Sequence, residues 1–376
     1  MNNQGPLDSH NATVLLVRRA LVKLGPMNDS IAGKVQGAAG PGRAKSTSAD
    51  APPQAESTSR VPLLVIGGPT AVGKTQLAMR VAEAVPAEVV SADAMAVYQG
   101  MDVGTAKPTA EERRRVRFHL IDHVPPEESY SLSRFLREAE GAIESIHARG
   151  RLPILCGGTG LYVRALLHGF NLPPGGGGKG VELRRRLEAR LAEAGLEALV
   201  AELTVADPTA TEQVDLRNPR RVMRALEIVL LSGLPLARAR ARGAERAKRY
   251  MSTIYGILCP RRLLYHRIDE RVERMIQAGW LEETRRLMVR LRPESTALQA
   301  IGYRELAAYL RGETNLAKAL ARIKHNTRRY AKRQITWWKR EEGLRWLGWE
   351  TPQDFSIVEA LLVREARHLF VGEDLA

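Results

Sequence analysis

From Pro62 onward, the hydrophobic positions of the chain fall into two alternating patterns. Four short apolar runs are typical of buried strands: "PLLVIGG" (62–68), "AEVVSAD" (87–93), "RLPILCGG" (151–158) and "IYGILCP" (254–260). Segments with helical spacing, such as "KTQLAMRVAEAV" (74–85), lie between them. This alternation predicts an α/β fold with a parallel sheet that is flanked by helices on both faces.

A long helical stretch interrupts the alternation. It follows "GGGGKG" (175–180), which is typical of a flexible joint, and it repeats apolar residues at i, i+3 and i+4 in 181–203 and 218–233. Because a strand-like run comes next, we predict an all-helical insertion between two parts of one core. The predicted units are a first core part (61–174), the helical insertion domain (175–252), a second core part with C-terminal helices (253–350) and a C-terminal tail (351–376).

The first 60 residues follow neither pattern. They are rich in Gly, Ala, Ser, Pro and Asn and too poor in large apolar side chains to form a core, so we predict a disordered leader (1–60). The amphipathic piece "ATVLLVRRALVKLG" (12–25) leaves an organelle-targeting helix open, although the acidic residues of the leader fit such a peptide poorly. A true start at Met27 or further downstream is also open.

Composition and charge narrow the range of partners. Lys and Arg number 57 against 42 Asp and Glu, a net charge of +15, which indicates a polyanionic partner with nucleic acid as the first candidate. The two cysteines, Cys156 and Cys259, lie in apolar runs without the C-x-x-C spacing of a zinc site, so we predict buried thiols. No apolar stretch approaches the roughly 18 residues of a membrane span. We therefore expect a cytoplasmic protein with no membrane partner, and a monomer.

One motif indicates phosphate binding. The segment "GPTAVGKT" (68–75) matches G-x-x-x-x-G-K-[ST] in full, directly after a predicted strand and before a predicted helix. This context predicts a P-loop NTPase-like core, in which backbone N–H groups, a lysine and a helix N-terminus hold phosphates. The motif recognises a chain of phosphates, so ATP and other diphosphates both remain open as ligands. The candidate phosphate-binding residues are Gly68, Pro69, Thr70, Ala71, Val72, Gly73, Lys74 and Thr75, and Thr75 is also the candidate Mg²⁺ ligand.

An acidic residue follows the second predicted strand. Asp93 ends the run "AEVVSAD", at the edge of the sheet where open α/β folds place their chemistry. No apolar run ends in the magnesium-binding Asp with a neighbouring Glu that an ATP hydrolase would use. Two interpretations of Asp93 remain open: a catalytic group, or a side chain that only caps the next turn.

Eight motifs in chain order resemble those of the tRNA dimethylallyltransferases, also called tRNA isopentenyltransferases. The resemblance covers about residues 62 to 350, and the presence of only two cysteines, too few for the zinc finger of eukaryotic members, favours the bacterial form. The motifs are "GPTAVGKT" (68–75), "SAD" with "VYQGMDVGTAKP" (91–108), "HLIDHVPPEESYS" (119–131), "GGTGLYVRALLHG" (157–169), "NPRRVMRALEI" (218–228), "RIDERVERM" (267–275), "AIGYRE" (300–305) and "TRRYAKRQITWW" (327–338).

The resemblance implies a reaction and a role for several residues. A dimethylallyl group would pass from dimethylallyl diphosphate to N6 of adenine 37 of tRNA, beside the anticodon, with Mg²⁺ as cofactor and the P-loop holding the diphosphate. By resemblance, Asp93 is the general base for the N6 amine and Thr159 orients that amine. Lys74, Thr75 with Mg²⁺, and Arg271 would neutralise the departing diphosphate. The adenine must leave its stack to reach such a pocket.

The resemblance also implies a surface for tRNA. Composition supports two basic regions, because residues 217–249 hold ten Lys or Arg against two acids and residues 318–340 hold nine against none. Tyr330, Trp337 and Trp338 lie in the second region and suit base stacking. Two alternatives remain open: "ARARARGAERAKR" as a merely solvated face, and the tryptophans as packing residues. The implied tRNA contacts are Asp93, Ala94, Met95, Ala96, Thr159, Arg184, Arg220, Arg221, Val222, Met223, Arg224, Gln299, Ala300, Ile301, Gly302, Tyr303 and Arg304.

The chain departs from the family beside the implied base. The family usually follows this Asp with Ser, one variable residue and Gln, whereas Ala94 and Ala96 stand in those places here. The hydroxyl and the amide are missing, so any bracing or base recognition that they provide must come from other groups.

Three other functions remain open. An adenylate isopentenyltransferase would use the same loop with free AMP, ADP or ATP, but it needs neither basic region, so the two regions favour tRNA. A small-molecule kinase would turn over ATP and ignore a prenyl donor. A P-loop nucleic-acid-binding protein would bind tRNA without any chemistry.

Overall fold

A computed structural model describes residues 60–169, 178–244 and 249–371 of the chain. The predicted leader, except for Arg60, lies outside the described residues, as do the first three glycines of the predicted joint.

A six-stranded, fully parallel sheet forms the centre of the fold, with the strand order β3-β2-β4-β1-β5-β6. All four predicted strands are confirmed, and with them the α/β fold class. Two short edge strands, β3 and β6, were not predicted, because their side chains are mostly half-buried and give no continuous apolar run. The strands are β1 Val61–Gly67, β2 Ala87–Ser91, β3 Phe118–His119, β4 Leu152–Cys156, β5 Tyr250–Leu258 and β6 Leu344–Gly348.

Twelve α-helices and one short 3₁₀ turn, Pro208–Glu212, occur in the described part of the chain. None of the helices described is both long and apolar enough to cross a membrane. The helices are α1 Lys74–Ala84, α2 Ala110–Arg115, α3 Leu132–Ala148, α4 Gly160–His168, α5 Gly178–Ala206, α6 Pro219–Ser232, α7 Leu236–Ala244, α8 Arg261–Gln277, α9 Trp280–Arg290, α10 Tyr303–Leu310, α11 Leu316–Trp338 and α12 Pro352–Val371.

The two faces of the sheet carry separate apolar cores. Strand β1 shows how the sequence divides them: Leu64 and Ile66 enter one core, and Leu63 and Val65 enter the other. Alternate residues of a strand point to opposite faces, so a continuous apolar run supplies both cores. Helices α1, α8 and α12 cover the first face, and α3, α4 and the end of α11 cover the second. Helices on both faces are therefore confirmed.

The described residues of the predicted insertion are mostly helical and form a core of their own, although β5 already begins at Tyr250. Leu187 and Leu203 of α5 pack with Val222 and Leu226 of α6, and all four side chains are fully buried. The i, i+3, i+4 spacing of apolar residues predicted these helices. The same spacing places those residues on one face of each helix, and that face is buried. The domain boundaries at 175 and 252 remain predictions.

Most of the segment assigned to a C-terminal tail is a helix packed on the sheet. In α12, Val358, Leu362 and Ala366 are buried against the first core. Their i, i+4, i+8 spacing places them on one face of the helix. This spacing is the signal that the assignment of a tail overlooked.

The packing of α12 predicts a large loss of stability when its buried face is truncated. Leu362 is fully buried, so Leu362→Ala should lower the free energy of unfolding by about 2–4 kcal/mol, whereas truncating a half-exposed Ile357 should cost less than about 1 kcal/mol. Denaturant unfolding of the two variants measures the difference. Equal, small losses would contradict the placement of α12 in the core.

The cysteines and tryptophans also have their predicted environments. Both thiols are buried, and burial raises the pKa of Cys156 to about 11 and that of Cys259 to about 12. Trp338 is fully buried in the second core, and Trp337 packs beneath the Arg164 guanidinium at 4.8 Å from the ring centroid. The packing interpretation of the two tryptophans is thereby confirmed.

Candidate active site

Three segments that sequence analysis had singled out meet at one edge of the sheet. Strands β1, β4 and β2 are neighbours and parallel, so their carboxyl ends lie side by side. The phosphate loop follows β1, Asp93 follows β2, and Gly158 with Thr159 follows β4. The loop, Asp93 and Gly158 line a cavity of about 920 Å³. The location agrees with the general rule for ligand sites in open α/β sheets.

The phosphate loop depends on two glycines with positive φ angles. Gly68 has φ +132°, and a Cβ atom there would lie 2.6 Å from the carbonyl oxygen of Ile257 on β5. Gly73 has φ +104°, and a Cβ atom there would lie 2.7 Å from the ring of Phe355 on α12. Side chains at either position would strain the backbone and clash with these neighbours. The motif glycines therefore shape residues 68–75 around a ligand and allow close packing behind the loop.

Two half-buried cations face the cavity beside the loop. Lys74 begins α1 and donates a hydrogen bond from Nζ to the carbonyl oxygen of Pro69 at 2.7 Å. Burial, assisted by the charge of Arg271, lowers the pKa of Lys74 to about 8 despite the opposing effect of Asp93. Arg271 reaches in from α8, with Nη1 3.5 Å from Thr70 Oγ1, and burial also lowers its pKa. Positive charge that has lost part of its water favours a polyanionic ligand at the helix N-terminus.

Of the two interpretations of Asp93, the structure shows the cap, and the catalytic group stays a prediction. Its Oδ1 accepts hydrogen bonds from the backbone N–H groups of Met95 at 2.8 Å and Ala96 at 3.2 Å, so it caps the turn. The same half-buried side chain lines the cavity. Within the described part of the chain, no hydrogen bond is made to Oδ2. One oxygen therefore fixes the side chain, and the other is available to a substrate proton.

Backbone contacts brace the loop in which the family's Ser and Gln are replaced. The N–H of Ala94 donates to Thr159 Oγ1 at 3.3 Å, and the N–H of Ala96 donates to Asp93. Neither bond requires a polar side chain at 94 or 96. This answers how the turn is held without the missing hydroxyl and amide, and it places Thr159 directly against the turn of Asp93.

Two residues of α11 belong to the site: Gln334, which sequence analysis did not single out, and Tyr330, which it named only as a candidate for base stacking. They line the cavity, one helical turn apart. Burial and the charge of Asp93 raise the pKa of Tyr330, and the nearby side chains of Thr159 and Gln334 oppose that rise. The available signal was the buried stripe of Ala331, Gln334 and Trp338, in which a polar residue interrupts apolar ones. A buried glutamine implies specific hydrogen-bond partners.

A buried carboxylate holds the wall of the cavity. Glu283 of α9 accepts hydrogen bonds from the backbone N–H groups of Asp102, Val103 and Gly104 at 2.8, 2.8 and 3.0 Å. It also accepts the hydroxyl of Tyr303 at 2.6 Å. Tyr303 is fully buried, so its side chain offers no surface to tRNA, contrary to the contact that the resemblance implied. Its hydroxyl is needed to satisfy Glu283 instead.

The residues of α5 and α6 that were expected to contact tRNA divide into two groups. Arg184 and Arg224 share the buried carboxylate of Glu227, with Nη1 to oxygen distances of 2.8 and 2.9 Å. Val222 and Met223 are buried in the apolar core of these helices, so their side chains offer no surface to tRNA. The 3.6-residue period of α6 causes this division, because adjacent residues point in different directions.

The remaining predicted tRNA residues lie at helix starts and in turns. Arg220 and Arg221 are exposed in the first turn of α6. Gln299, before α10, and Arg304, within it, are exposed. Between them, Ala300 and Ile301 are half-buried and Gly302 is buried. Met95 and Ala94 are half-buried beside Asp93, whereas Ala96 is buried.

The outer face of α11 is strongly basic. On its inner side, Lys324 and Arg328 form ion pairs with Glu273 and Asp269 of α8. The outer side carries five exposed cations and no acidic residue, and two further exposed cations directly follow the helix; this surface suits phosphate contact. These cations are Lys318, Arg322, Arg329, Lys332, Arg333, Lys339 and Arg340.

Two protein-family models match the chain. A model described as "IPP transferase" matches residues 96–341, and a model described as "Isopentenyl transferase" matches residues 61–125. Between them they span the phosphate loop, Asp93, the helical layer and α11.

Relatives match over most of their own length. The chain is 46% identical over 288 residues to a tRNA dimethylallyltransferase of Thermomicrobium roseum, covering 76% of this chain and 86% of the relative. It is 40% identical to the crystal structure of the full-length tRNA isopentenylpyrophosphate transferase from Bacillus halodurans, with a TM-score of 0.60, covering 82% and 99% of the two chains. A structure of a eukaryotic dimethylallyltransferase acting on tRNA gives a TM-score of 0.73 at 26% identity, covering 84% and 80%.

Proposed function

The chain belongs to the tRNA dimethylallyltransferase family, and from that membership we propose how its cavity performs the family's reaction. The enzyme transfers the dimethylallyl group of dimethylallyl diphosphate to N6 of adenine 37 of tRNA and releases diphosphate. One observation carries the assignment of the site: a phosphate loop with two half-buried cations and the carboxylate of Asp93 open on the same cavity. A cytoplasmic location is part of this proposal, since the reaction requires tRNA and a small diphosphate.

The donor lies with its diphosphate in the phosphate loop. Lys74 and Arg271 offset the negative charge that grows on the diphosphate oxygen as the allylic C–O bond breaks. Both cations are half-buried and partly desolvated, so their effect on the leaving group is larger than it would be in bulk solvent.

The acceptor amine lies beside Asp93. The N6 nitrogen forms a bond to the allylic carbon while the C–O bond breaks, and the electron pair of that bond leaves with the diphosphate. The proton that N6 loses passes to Oδ2 of Asp93, the oxygen that the turn does not use. Thr159, held against this turn by the Ala94 N–H, orients the amine. The adenine reaches the cavity only after leaving its stack.

Magnesium fits this site as an ion held by the substrate. No cluster of three or more His, Cys, Asp or Glu side chains that could hold a metal occurs among the described residues. Mg²⁺ keeps several waters and binds through substrate phosphates with few protein ligands, so it needs no such cluster. Thr75, which lines the cavity in the first turn of α1, would supply its hydroxyl. When bound, the ion contributes further neutralisation of the diphosphate.

The tRNA lies along the basic surfaces of α6 and α11. Arg184 and Arg224, fixed by Glu227, and the exposed Arg220 and Arg221 supply phosphate contacts on the helical layer. The exposed cations of α11 supply the second surface. The A37 specificity requires an anticodon loop, and free adenylate would use neither surface.

Arg224→Ala should weaken tRNA binding about tenfold and leave the KM for the donor unchanged, because Arg224 contacts the tRNA and lies outside the cavity. Gel-shift titration with an unmodified tRNA measures the Kd. Arg285→Ala is the matched control, since Arg285 is exposed on α9 and, among residues 60–169, 178–244 and 249–371, forms an ion pair with Glu282 alone. A similar loss in both variants would show a general effect of charge rather than a contact by Arg224.

The function is tested by offering three acceptors to the purified enzyme. Labelled dimethylallyl diphosphate and Mg²⁺ are incubated in parallel with an unmodified anticodon stem-loop containing adenine 37, with the same stem-loop carrying guanine 37, and with AMP. We expect label only in the first stem-loop. Label in AMP alone would assign the enzyme to the adenylate class. Label in none of the three acceptors would favour a kinase or a binding protein.

A further inference from the structure

Gln334 joins the two sides of the cavity. It lies in α11 and is 5% exposed, and its side-chain amide reaches both the phosphate loop and the turn after β4. We propose that Gln334 is a positioning residue that sets the spacing between the bound donor and the acceptor amine. The proposal rests on the donor and acceptor sites assigned above.

The amide uses both of its ends at once. Its Oε1 accepts the backbone N–H of Thr70 at 2.8 Å, and its Nε2 donates to the carbonyl oxygen of Gly158 at 3.0 Å. The two partners fix the orientation of the amide, since an N–H needs an acceptor and a carbonyl oxygen needs a donor. Thr70 lies in the middle of the phosphate loop, and Gly158 immediately precedes Thr159. One side chain therefore links the loop that holds the diphosphate to the residue that orients the amine.

The backbone at Gly158 is shaped for this contact. A Cβ atom at Gly158 would lie 2.1 Å from Gln334 Nε2. Any residue larger than glycine would push the amide away from the carbonyl. The glycine and the glutamine thus form one fitted contact between segments 176 residues apart in the chain.

Spacing matters here because the reaction joins two separately bound substrates. The nitrogen must lie about 3–3.5 Å from the allylic carbon and in line with the breaking bond, and a displacement of about 1 Å can cost about 100-fold in rate. Removing the amide link leaves each binding surface in place and frees one to shift against the other. The loss should therefore fall on kcat rather than on either binding constant.

Gln334→Met tests this directly, because methionine has a similar length but makes neither hydrogen bond. We expect kcat for transfer to the stem-loop to fall about 10–100-fold, with the donor KM and the tRNA Kd within about threefold of the wild type. Gly158→Ala, which displaces the same amide, should reproduce this pattern. Gln353→Met makes the same substitution at an exposed site on α12 and should leave all three constants unchanged.

A double-mutant cycle separates positioning from general damage. If Gln334 acts through the turn of Thr159, the double variant Gln334→Met, Thr159→Ala should have a fold-loss of kcat clearly smaller than the product of the two single-variant fold-losses. Multiplicative effects, an unchanged kcat, or a loss confined to the donor KM would each overturn the proposal. All comparisons are ratios to the wild type, whose transfer to the stem-loop tests the proposed function separately. Melting temperatures within a few degrees of the wild type confirm that the variants are folded.

Discussion

Asp93→Asn should lower kcat for dimethylallyl transfer by about 10³-fold, which lies within the range that a general base contributes. The asparagine retains an oxygen for the N–H groups of Met95 and Ala96, so the turn keeps its cap. It replaces Oδ2 with an amide nitrogen that cannot accept a proton. The Kd for tRNA and the KM for the donor should both stay within about twofold of the wild type, measured by gel shift and by initial rates.

The asparagine variant separates the two functions of this side chain. Asp93→Ala removes the cap together with the base, so it should lose activity at least as completely and also lose some stability. Full activity in Asp93→Asn would overturn the assignment of the base. A loss in Asp93→Ala alone would show that the cap, rather than the proton acceptor, is what the reaction requires.

The pH dependence of donor capture should follow Lys74. Burial lowers the pKa of this lysine to about 8, and only its protonated form attracts the diphosphate. The protonated fraction falls as the pH rises through 8, so kcat/KM for the donor should decline about tenfold per pH unit above that value. The bound diphosphate favours the charged lysine and raises its pKa, so kcat at saturating donor should stay level to higher pH.

Variants at Lys74 test the origin of this decline. Lys74→Ala should lower kcat/KM for the donor by about 10²–10³-fold at neutral pH, because a partly desolvated charge opposite the leaving group is lost. Lys74→Arg keeps a charge at every accessible pH, so whatever activity it retains should not show the decline above pH 8. A decline that persists unchanged in Lys74→Arg would place its origin in another group. Gln353→Met again serves as the control at an exposed site.

Local patterns in the sequence were enough to predict the sheet and the positions of the main functional groups. Buried parallel strands are read as continuous apolar runs, and the residues that follow them lie at one edge of the sheet wherever the strands are neighbours. This is why the phosphate loop and Asp93 could each be placed at the end of a strand from the sequence pattern, whereas Thr159 was named only through the family resemblance. Edge strand β3, with only two residues, gave no such run.

Contacts between distant segments could not be predicted in the same way. Gln334 lies in a helix that the sequence marks mainly by its basic charge. No residue near Gln334 in the sequence indicates that its hydrogen-bond partners are Thr70 and Gly158. The family motif placed Tyr303 at the tRNA surface, but the burial of its side chain depends on Glu283, which lies 20 residues earlier. Tertiary packing decides whether a motif residue contacts the substrate itself or supports another residue that contacts it. A sequence motif carries no information about this packing.

The bracing of the phosphate loop has a consequence for the nascent chain on the ribosome. Residues 68–75 are translated early, but Thr70 is held by a residue 264 positions later, and Val72 accepts the indole N–H of Trp349, 277 positions later. Cooperative units fold only once their contacts have been synthesised. Until translation has passed Trp349, the emerging polypeptide carries a complete phosphate-binding motif without the structure that makes it work. Nucleotides and prenyl diphosphates in the cell should therefore meet a competent loop only after Trp349 has been synthesised.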